Sequence, residues 1–261
     1  MNLLALASGS QGNSTLVRHG DAAVLVDAGL PITAMEQRLE AARLGLGAVG
    51  LLVATHGHLD HARSVGVLAR RWRVPVACAP AIQTHAALRR SKRTTTLSPG
   101  TPLVVDAGAG AAALVIHAVE IPHDAHPTYA LRIEAGDRCA VILTDIGRVC
   151  ERTAAALHDP HVLLLEFNHD EGLLERGPYS ASLKRRIRGG NGHLSNRQAA
   201  DMLKRIAGPR LHTVVLGHLS RTNNTSDLAL AAAHAALAEL GRSDVTVHVA
   251  AQDSIGTPIT V

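Results

Sequence analysis

Leu51-Leu52-Val53-Ala54-Thr55-His56-Gly57-His58-Leu59-Asp60-His61 is the stretch on which the reading of the whole chain turns. An apolar run of strand length ends there in four potential metal ligands crowded into a single turn. His56 and His58 stand two apart, so in an extended segment both imidazoles leave the same face. Gly57 lets the backbone bend between them. Asp60 and His61 follow at the entry to a helix and are placed to reach a second ion. Imidazole and carboxylate are the ligands expected of zinc or a neighbouring first-row metal. A single pair of histidines would read as a His-rich loop, but four such groups after one strand are rare by composition.

Composition sets the surroundings. A chain of 261 residues can bury a large core in one domain, and no linker, internal repeat or low-complexity tract interrupts it, so residues 1–261 are expected to form a single domain. The hydrophobic 46% is mostly Ala, Val and Leu, with Trp72, Phe167, Tyr129 and Tyr179 the only aromatics, so the core must be aliphatic. Few platforms remain for stacking bases. A net charge of +4 suits an anionic substrate without requiring one. Cys78, Cys139 and Cys150 are odd in number, lack CxxC spacing and mostly sit in apolar segments, as buried reduced thiols of a cytoplasmic protein would. The opening MNLLALASGSQGN has too short an apolar run, and no basic start, for an export signal. No stretch approaches the ~20 apolar residues of a membrane span, since Leu228 to Leu240 carries His234 and Glu239. A soluble protein with no membrane partner is expected.

Outward from the central stretch, Leu3 to Ala7, Thr15 to His19 and Ala22 to Asp27 read as three strands, the last two joined by a Gly20-Asp21 turn. Pro31 to Leu44 changes to helical period, with Pro at its start. His61 to Trp72 reads as the helix after the histidines, with Arg70, Arg71 and Arg73 where the dipole favours cations. A strand at Val76 to Ala79, a helix near Ala81 to Arg90 and a basic, solvated loop from Arg89 to Thr96 follow. Strands are then expected at Leu103 to Asp106, Leu114 to Glu120, Tyr129 to Glu134 and Arg138 to Thr144. The second half alternates: helix Cys150 to Leu157, strand Val162 to Phe167, helices near Ser182 to Arg188 and at Ser195 to Ala207, strand Leu211 to Leu216, helix Thr225 to Leu240 and strand Val245 to Val249. Elements ordered this way fit an α/β (α+β) fold with two sheets sandwiched between helix layers.

Several strand ends carry further polar groups. Pro122 stops ladder pairing just before His123, leaving that imidazole free to point into a cleft. Asp145 closes Val141-Ile-Leu-Thr-Asp-Ile-Gly and can offer one oxygen to each of two ions. His218 ends the strand Leu211 to Leu216. His193 lies just ahead of a helix whose N-cap reads as Ser195. Glu166, Asn168, His169 and Asp170 at another strand end suit a shell that orients ligands or contacts substrate, or a polar turn with a helix cap. On the helix near Ser182, Lys184, Arg185, Arg186 and Arg188 cannot all face one way. One or two of them can touch a nucleic-acid backbone while the rest are solvated.

The HxHxDH string resembles the signature of the metallo-β-lactamase-fold hydrolases, a family of mostly two-metal enzymes with a four-layer αββα sandwich. Alone it would fit glyoxalases, lactonases, sulfatases and nucleases equally. The likeness extends over nearly the whole chain: SGSQGN (8–13), VDAG (26–29), PHDA (122–125), TDIG (144–147), EFNHD (166–170), LKRRI (183–187), GHLSN (192–196) and GHLSRTNN (217–224) together resemble the YycJ/WalJ/VicX group of DNA-acting exonucleases and uncharacterised metallohydrolases. That resemblance implies a first ion on His56, His58 and His123, a second on Asp60, His61 and His218, and Asp145 between them. The ions would be two divalent cations, zinc foremost and manganese as the alternative. It also implies a metal-bridging hydroxide as nucleophile, with Asp60 and Asp145 in the catalytic group. The GHLSN element resembles ribonuclease Z relatives and makes His193 the general acid. Asn168, His169, Ser220, Arg221 and Asn223 are the implied substrate contacts.

Departures narrow the branch. Only 73 residues separate Asp145 from His218, too few for the extra domain of ribonuclease J relatives. No cysteine occupies a motif position, as class B β-lactamases would require. The expected activity is a two-metal phosphodiesterase or nuclease, possible 5′–3′ exonuclease polarity included, with DNA a better partner than RNA. The rivals are hydrolysis of a small ester, thioester or cyclic phosphodiester, and a metal-stabilised binding protein in signalling.

Overall fold

The computed structural model describes residues 1–44, 48–88, 91 and 93–261. One sheet contains β1 (Asn2–Ala7), β2 (Ser14–His19), β3 (Ala22–Val26), β4 (Leu51–Val53), β5 (Val76–Cys78), β6 (Thr94–Thr96) and β14 (Ile259–Thr260), in the order β14-β1-β2-β3-β4-β5-β6. Short turns join β1, β2 and β3, so these pair antiparallel, whereas β3 through β6 pair parallel. Parallel neighbours need crossovers. Helix α1 (Ile32–Ala41) connects β3 to β4, and α2 (Leu59–Ala62) with α3 (Val65–Trp72) connects β4 to β5. Residues of β3 and β4 are buried on both faces, which is why they read as unbroken apolar runs.

The other sheet contains β7 (Leu103–Val105), β8 (Leu114–Ile121), β9 (Thr128–Ala135), β10 (Arg138–Leu143), β11 (Val162–Glu166), β12 (Thr213–Gly217) and β13 (Thr246–Val249), in the order β13-β12-β11-β10-β9-β8-β7. Strands β10 to β13 pair parallel. Their crossovers carry α4 (Glu151–Leu157), α5 (Glu171–Arg176), α6 (Ala181–Arg188), α7 (Asn196–Ile206) and α8 (Ser226–Glu239). The chain divides into two compact units, Met1–Ala118 with Ile133–Arg138 and Ala251–Val261, and Val119–Arg132 with Cys139–Ala250. In the second unit Leu163, Leu165, Phe167, Met202, Leu203 and Leu216 form an aliphatic core around one phenyl ring. Burying each such side chain contributes about 1.5–3 kcal/mol. No helix is long and apolar enough to cross a membrane among the described residues.

The elements differ from expectation in five places. The helix read from His61 to Trp72 is two helices, because Ser64 turns back: its N–H donates to Ala28 O (2.9 Å) and its hydroxyl to Leu30 O (2.6 Å). Instead of a helix near Ala81, the chain makes a 3-10 turn at Pro80–Ile82 and further turns. There Ala87 O accepts from Gly66 N (3.2 Å) rather than continuing a helix. Of the basic loop, Thr94–Thr96 is an edge strand on β5, while Arg89, Arg90 and Lys92 lie outside the described residues. Helix α5 was not anticipated as a separate element; Asp170 starts it by accepting from Leu173 N at 2.8 Å. Strand β14 was also missed, being too short to show alternation.

Candidate metal centre

In the first unit the donors follow β4 directly. His58 is the N-cap of α2, extended at φ −62° and ψ 146°, and its carbonyl accepts from His61 N (3.0 Å) and Ala62 N (2.8 Å). That tight turn brings the imidazoles together: ring centroids of His56 and His61 are 4.2 Å apart, those of His56 and His58 4.9 Å. His56 and His61 are fully buried. Asp60 Oδ2 lies 3.6 Å from His61 Nε2.

What fixes these rings is Asp27, at the end of β3. Its Oδ1 accepts from Thr55 N (2.8 Å), and its Oδ2 accepts from both the Thr55 hydroxyl (2.8 Å) and His61 Nδ1 (2.7 Å). The Thr55 oxygen is left to accept from His56 Nδ1 at 3.1 Å. Asp27 has φ 60°, a left-handed conformation that costs a non-glycine residue about 1–3 kcal/mol. Its own N–H, bonded to Val53 O at 2.7 Å, holds it there. Asn13, from SGSQGN, donates through its N–H to Asp60 O (2.7 Å), and its side-chain nitrogen lies 2.9 Å from His61 Nε2.

In the second unit the donors come from separate strand ends. His123 follows β8, Asp145 follows β10, His218 follows β12, and His193 precedes α7. Asp145 and His218 have φ 60° and 53°, so each leaves its strand through a left-handed turn, as Asp27 does. Gly147 N donates to Pro122 O at 2.7 Å and ties the ends of β8 and β10 together. Glu166, the last residue of β11, sits fully buried among them. Its Oε2 accepts from Asp145 N (2.9 Å), His193 Nδ1 (3.0 Å) and His218 Nδ1 (2.8 Å), and its Oε1 from Leu194 N (2.8 Å). Burial alone would push this carboxyl up, but the two imidazoles outweigh it and bring the pKa down to about 2. Burial likewise works against a charge on His193, and the Glu166 carboxylate more than offsets it, raising that imidazole above the ordinary histidine range. Asp145, Glu166, His193 and His218 present ligand atoms all within 4.8 Å of one another. His123 Nε2 stands 3.9 Å from Asp145 Oδ1.

A common arrangement runs through both units. Nδ1 of His56, His61, His193 and His218 faces a hydroxyl or carboxylate, and Nδ1 of His123 donates to Gly192 O at 3.1 Å. Assigned from these partners, each neutral ring carries its proton on Nδ1 and keeps the Nε2 lone pair for a ligand. Fixing the tautomer from behind in this way is how metal-binding histidines are held. With Asp60 and Asp145, this N and O donor set fits a divalent cation. Glu166 is a holder rather than a ligand, because both its oxygens are already engaged.

The remaining sequence candidates have other surroundings. Asn168 is buried and donates to His218 O at 3.0 Å, bracing the left-handed turn. His169 is buried, with its carbonyl accepting from Asn196 N and its Nδ1 3.3 Å from Asn168 Oδ1. Asn223 is buried as well; its carbonyl accepts from Asp170 N (2.8 Å) and its N–H donates to Ser220 Oγ (3.1 Å). All three are thus buried, while Ser220 is half-buried and Arg221 exposed. Ser195 caps α7 in a reciprocal box with Gln198, as its sequence position suggested. Asp27 was overlooked as a site residue, although VDAG places an acid at the end of an apolar strand just as LTDIG does. Cys78 is buried, its thiol pushed up to about 11 by burial, and none of the three cysteines is in a disulfide among the described residues.

The model of the metallo-β-lactamase superfamily matches residues 7–218. Two exodeoxyribonucleases are similar in sequence: WalJ of Streptococcus pneumoniae serotype 2, 34% identical over 86% of this chain and 83% of its own length, and YycJ of Bacillus anthracis, 30% identical over 92% and 90%. Among solved structures, the metallo-β-lactamase fold protein YhfI from Bacillus subtilis superposes with a TM-score of 0.72 over 98% of both chains, at 16% identity. The fold expected from the histidine string is thus the fold found, and the chain belongs to the metallo-β-lactamase superfamily.

Proposed function

We propose that this protein is a two-metal phosphodiesterase that degrades DNA as an exonuclease. The observation that carries the reading is the set of four histidines, His56, His61, His123 and His218, whose Nδ1 atoms are engaged from behind, so that Nε2 is the atom each offers. His56, His58 and His123 would hold one divalent ion, Asp60, His61 and His218 the other, with Asp145 shared. We keep residues 1–261 as one domain, because the family model runs through residues 7–218. Zinc and manganese both accept these ligands. Bound there, the ions supply Lewis acidity at phosphorus and activate water for attack.

The chain's own groups do the rest. His193 donates its Nε2 proton to the oxygen that departs as the phosphodiester P–O bond breaks. Glu166 holds His193 Nδ1, favours its protonated form and fixes the ring's direction. We assign Asn168 to supporting the His218 turn and the buried His169 and Asn223 to supporting the loops beside it, and keep Ser220 and Arg221 as the proposed phosphate contacts. DNA is favoured over RNA by what the two similar enzymes are named for.

The test is a substrate panel with the metal-loaded protein: end-labelled duplex and single-stranded DNA, matched RNA, a nitrophenyl phosphodiester and a thioester. Release of mononucleotides from DNA and hydrolysis of the diester, both lost on chelation, are expected. Turnover of the thioester alone would overturn the reading.

A further inference from the structure

We infer that α6 is a nucleic-acid-binding arm that takes a backbone phosphate on Arg185 and is rigidly joined to His193; the inference rests on the DNA-degrading reading and names its substrate surface. The helix carries Lys184, Arg185, Arg186 and Arg188 within two turns, and none of its residues is buried. A core therefore does not explain it. Like charges three and four residues apart destabilise a helix, and the fold relieves this only in part. Arg186 Nε pairs with Asp124 Oδ2 (2.5 Å) and Arg188 with Glu175 (2.6 Å), while Lys184 donates to Glu175 O (2.5 Å). Arg185 is exposed, and no ion pair of it is found among the described residues. A phosphate would supply the missing anion.

The underside of the same helix reaches the reaction. Ile187 O accepts from His193 N at 2.9 Å, and Gly192 O accepts from His123 Nδ1 at 3.1 Å. A side chain at Gly192 would collide with Ile187 O and Arg186 O, and one at Gly147 would collide with Gly190 O and Asn191. The close approach leaves no slack between α6, the loop after it and the turn that holds Asp145. Arg148, exposed, extends the basic surface over that loop through Gly190 O at 3.1 Å. A strand held on Arg185 is thereby registered against the proton donor.

Arg185→Glu, Arg185→Lys and, as a control outside α6, Arg152→Glu test this. Each is assayed on single-stranded DNA and on the nitrophenyl phosphodiester, with DNA binding measured by fluorescence anisotropy in chelator across a salt series. Arg185→Glu is expected to lower kcat/KM on DNA at least tenfold more than on the diester. It should also flatten the salt dependence of binding by about one phosphate contact, with Arg185→Lys recovering most of both and Arg152→Glu matching wild type. Equal losses on the two substrates, or wild-type DNA affinity in Arg185→Glu, would overturn the inference. Binding through Arg185 without cleavage of DNA would instead support the arm and sink the exonuclease reading.

Discussion

His56, His58, Asp60 and His61 share one turn, and one acid supports His56 and His61 from behind, whereas His123, Asp145, His193 and His218 arrive from separate segments of the second unit. Asp27 and Glu166 fill the same office in the two places. Asp27 collects three donors and reaches His56 through Thr55. Glu166 collects four, two of them imidazoles. A local cluster needs its acid mainly for ring orientation, because the backbone turn already brings the rings together. The dispersed cluster uses its acid as the point of assembly, so losing that acid should cost more.

Glu166→Ala is the largest break. Four donors, three of them on buried residues, lose their acceptor, and removing one partner of a buried charged network costs about 3–5 kcal/mol. Thermal unfolding and metal content should both fall sharply, with activity lost. His193→Ala comes next and separates chemistry from assembly: kcat on the phosphodiester is expected to drop ~10²–10⁴-fold while metal analysis stays at the wild-type stoichiometry. Loss of metal in that variant would move His193 from proton donor to ligand. Asp27→Asn is milder. An amide accepts on one atom only, so either the Thr55 N–H or the shared Thr55–His61 position loses its acceptor, and metal affinity should weaken ~10–100-fold with the fold retained. If Asp27→Asn proved as damaging as Glu166→Ala, the contrast between local and dispersed clusters would be wrong.

The same contrast explains what the sequence disclosed. Contiguous donors are visible as a string, and Asp145 and His218 could be found because each ends an apolar run. Glu166 was legible as a strand-end group suited to orienting ligands, but which ones it holds was not: its bonds to His193 and His218 join segments distant along the chain. The split of one helix at Ser64 was hidden for a similar reason, since the bonds from Ser64 to Ala28 and Leu30 bridge residues distant along the chain. Asn168, His169 and Asn223 looked like substrate contacts because they are polar and cluster at strand ends. All three are buried, and Asn168 donates to the His218 carbonyl.

His169 offers the finest test of that inward role, with no effect on activity expected at pH 7. Burial is the main cause that lowers its pKa to about 4, against the partial opposition of Glu166. An unfolded-state histidine titrates near 6.5, so between about pH 6.5 and 4 the unfolded chain binds a proton that the folded chain refuses. Stability therefore declines as pH falls through that window, by on the order of 1–2 kcal/mol at pH 5 from this group alone. His169→Gln keeps a polar side chain beside Asn168 and removes the titration. Denaturant midpoints at pH 7 and pH 5, measured in chelator so that ligand protonation does not release metal, should lie closer together in His169→Gln than in wild type. An unchanged gap would mean that His169 accepts a proton in the folded state, and that it belongs with the site's titrating groups rather than behind them.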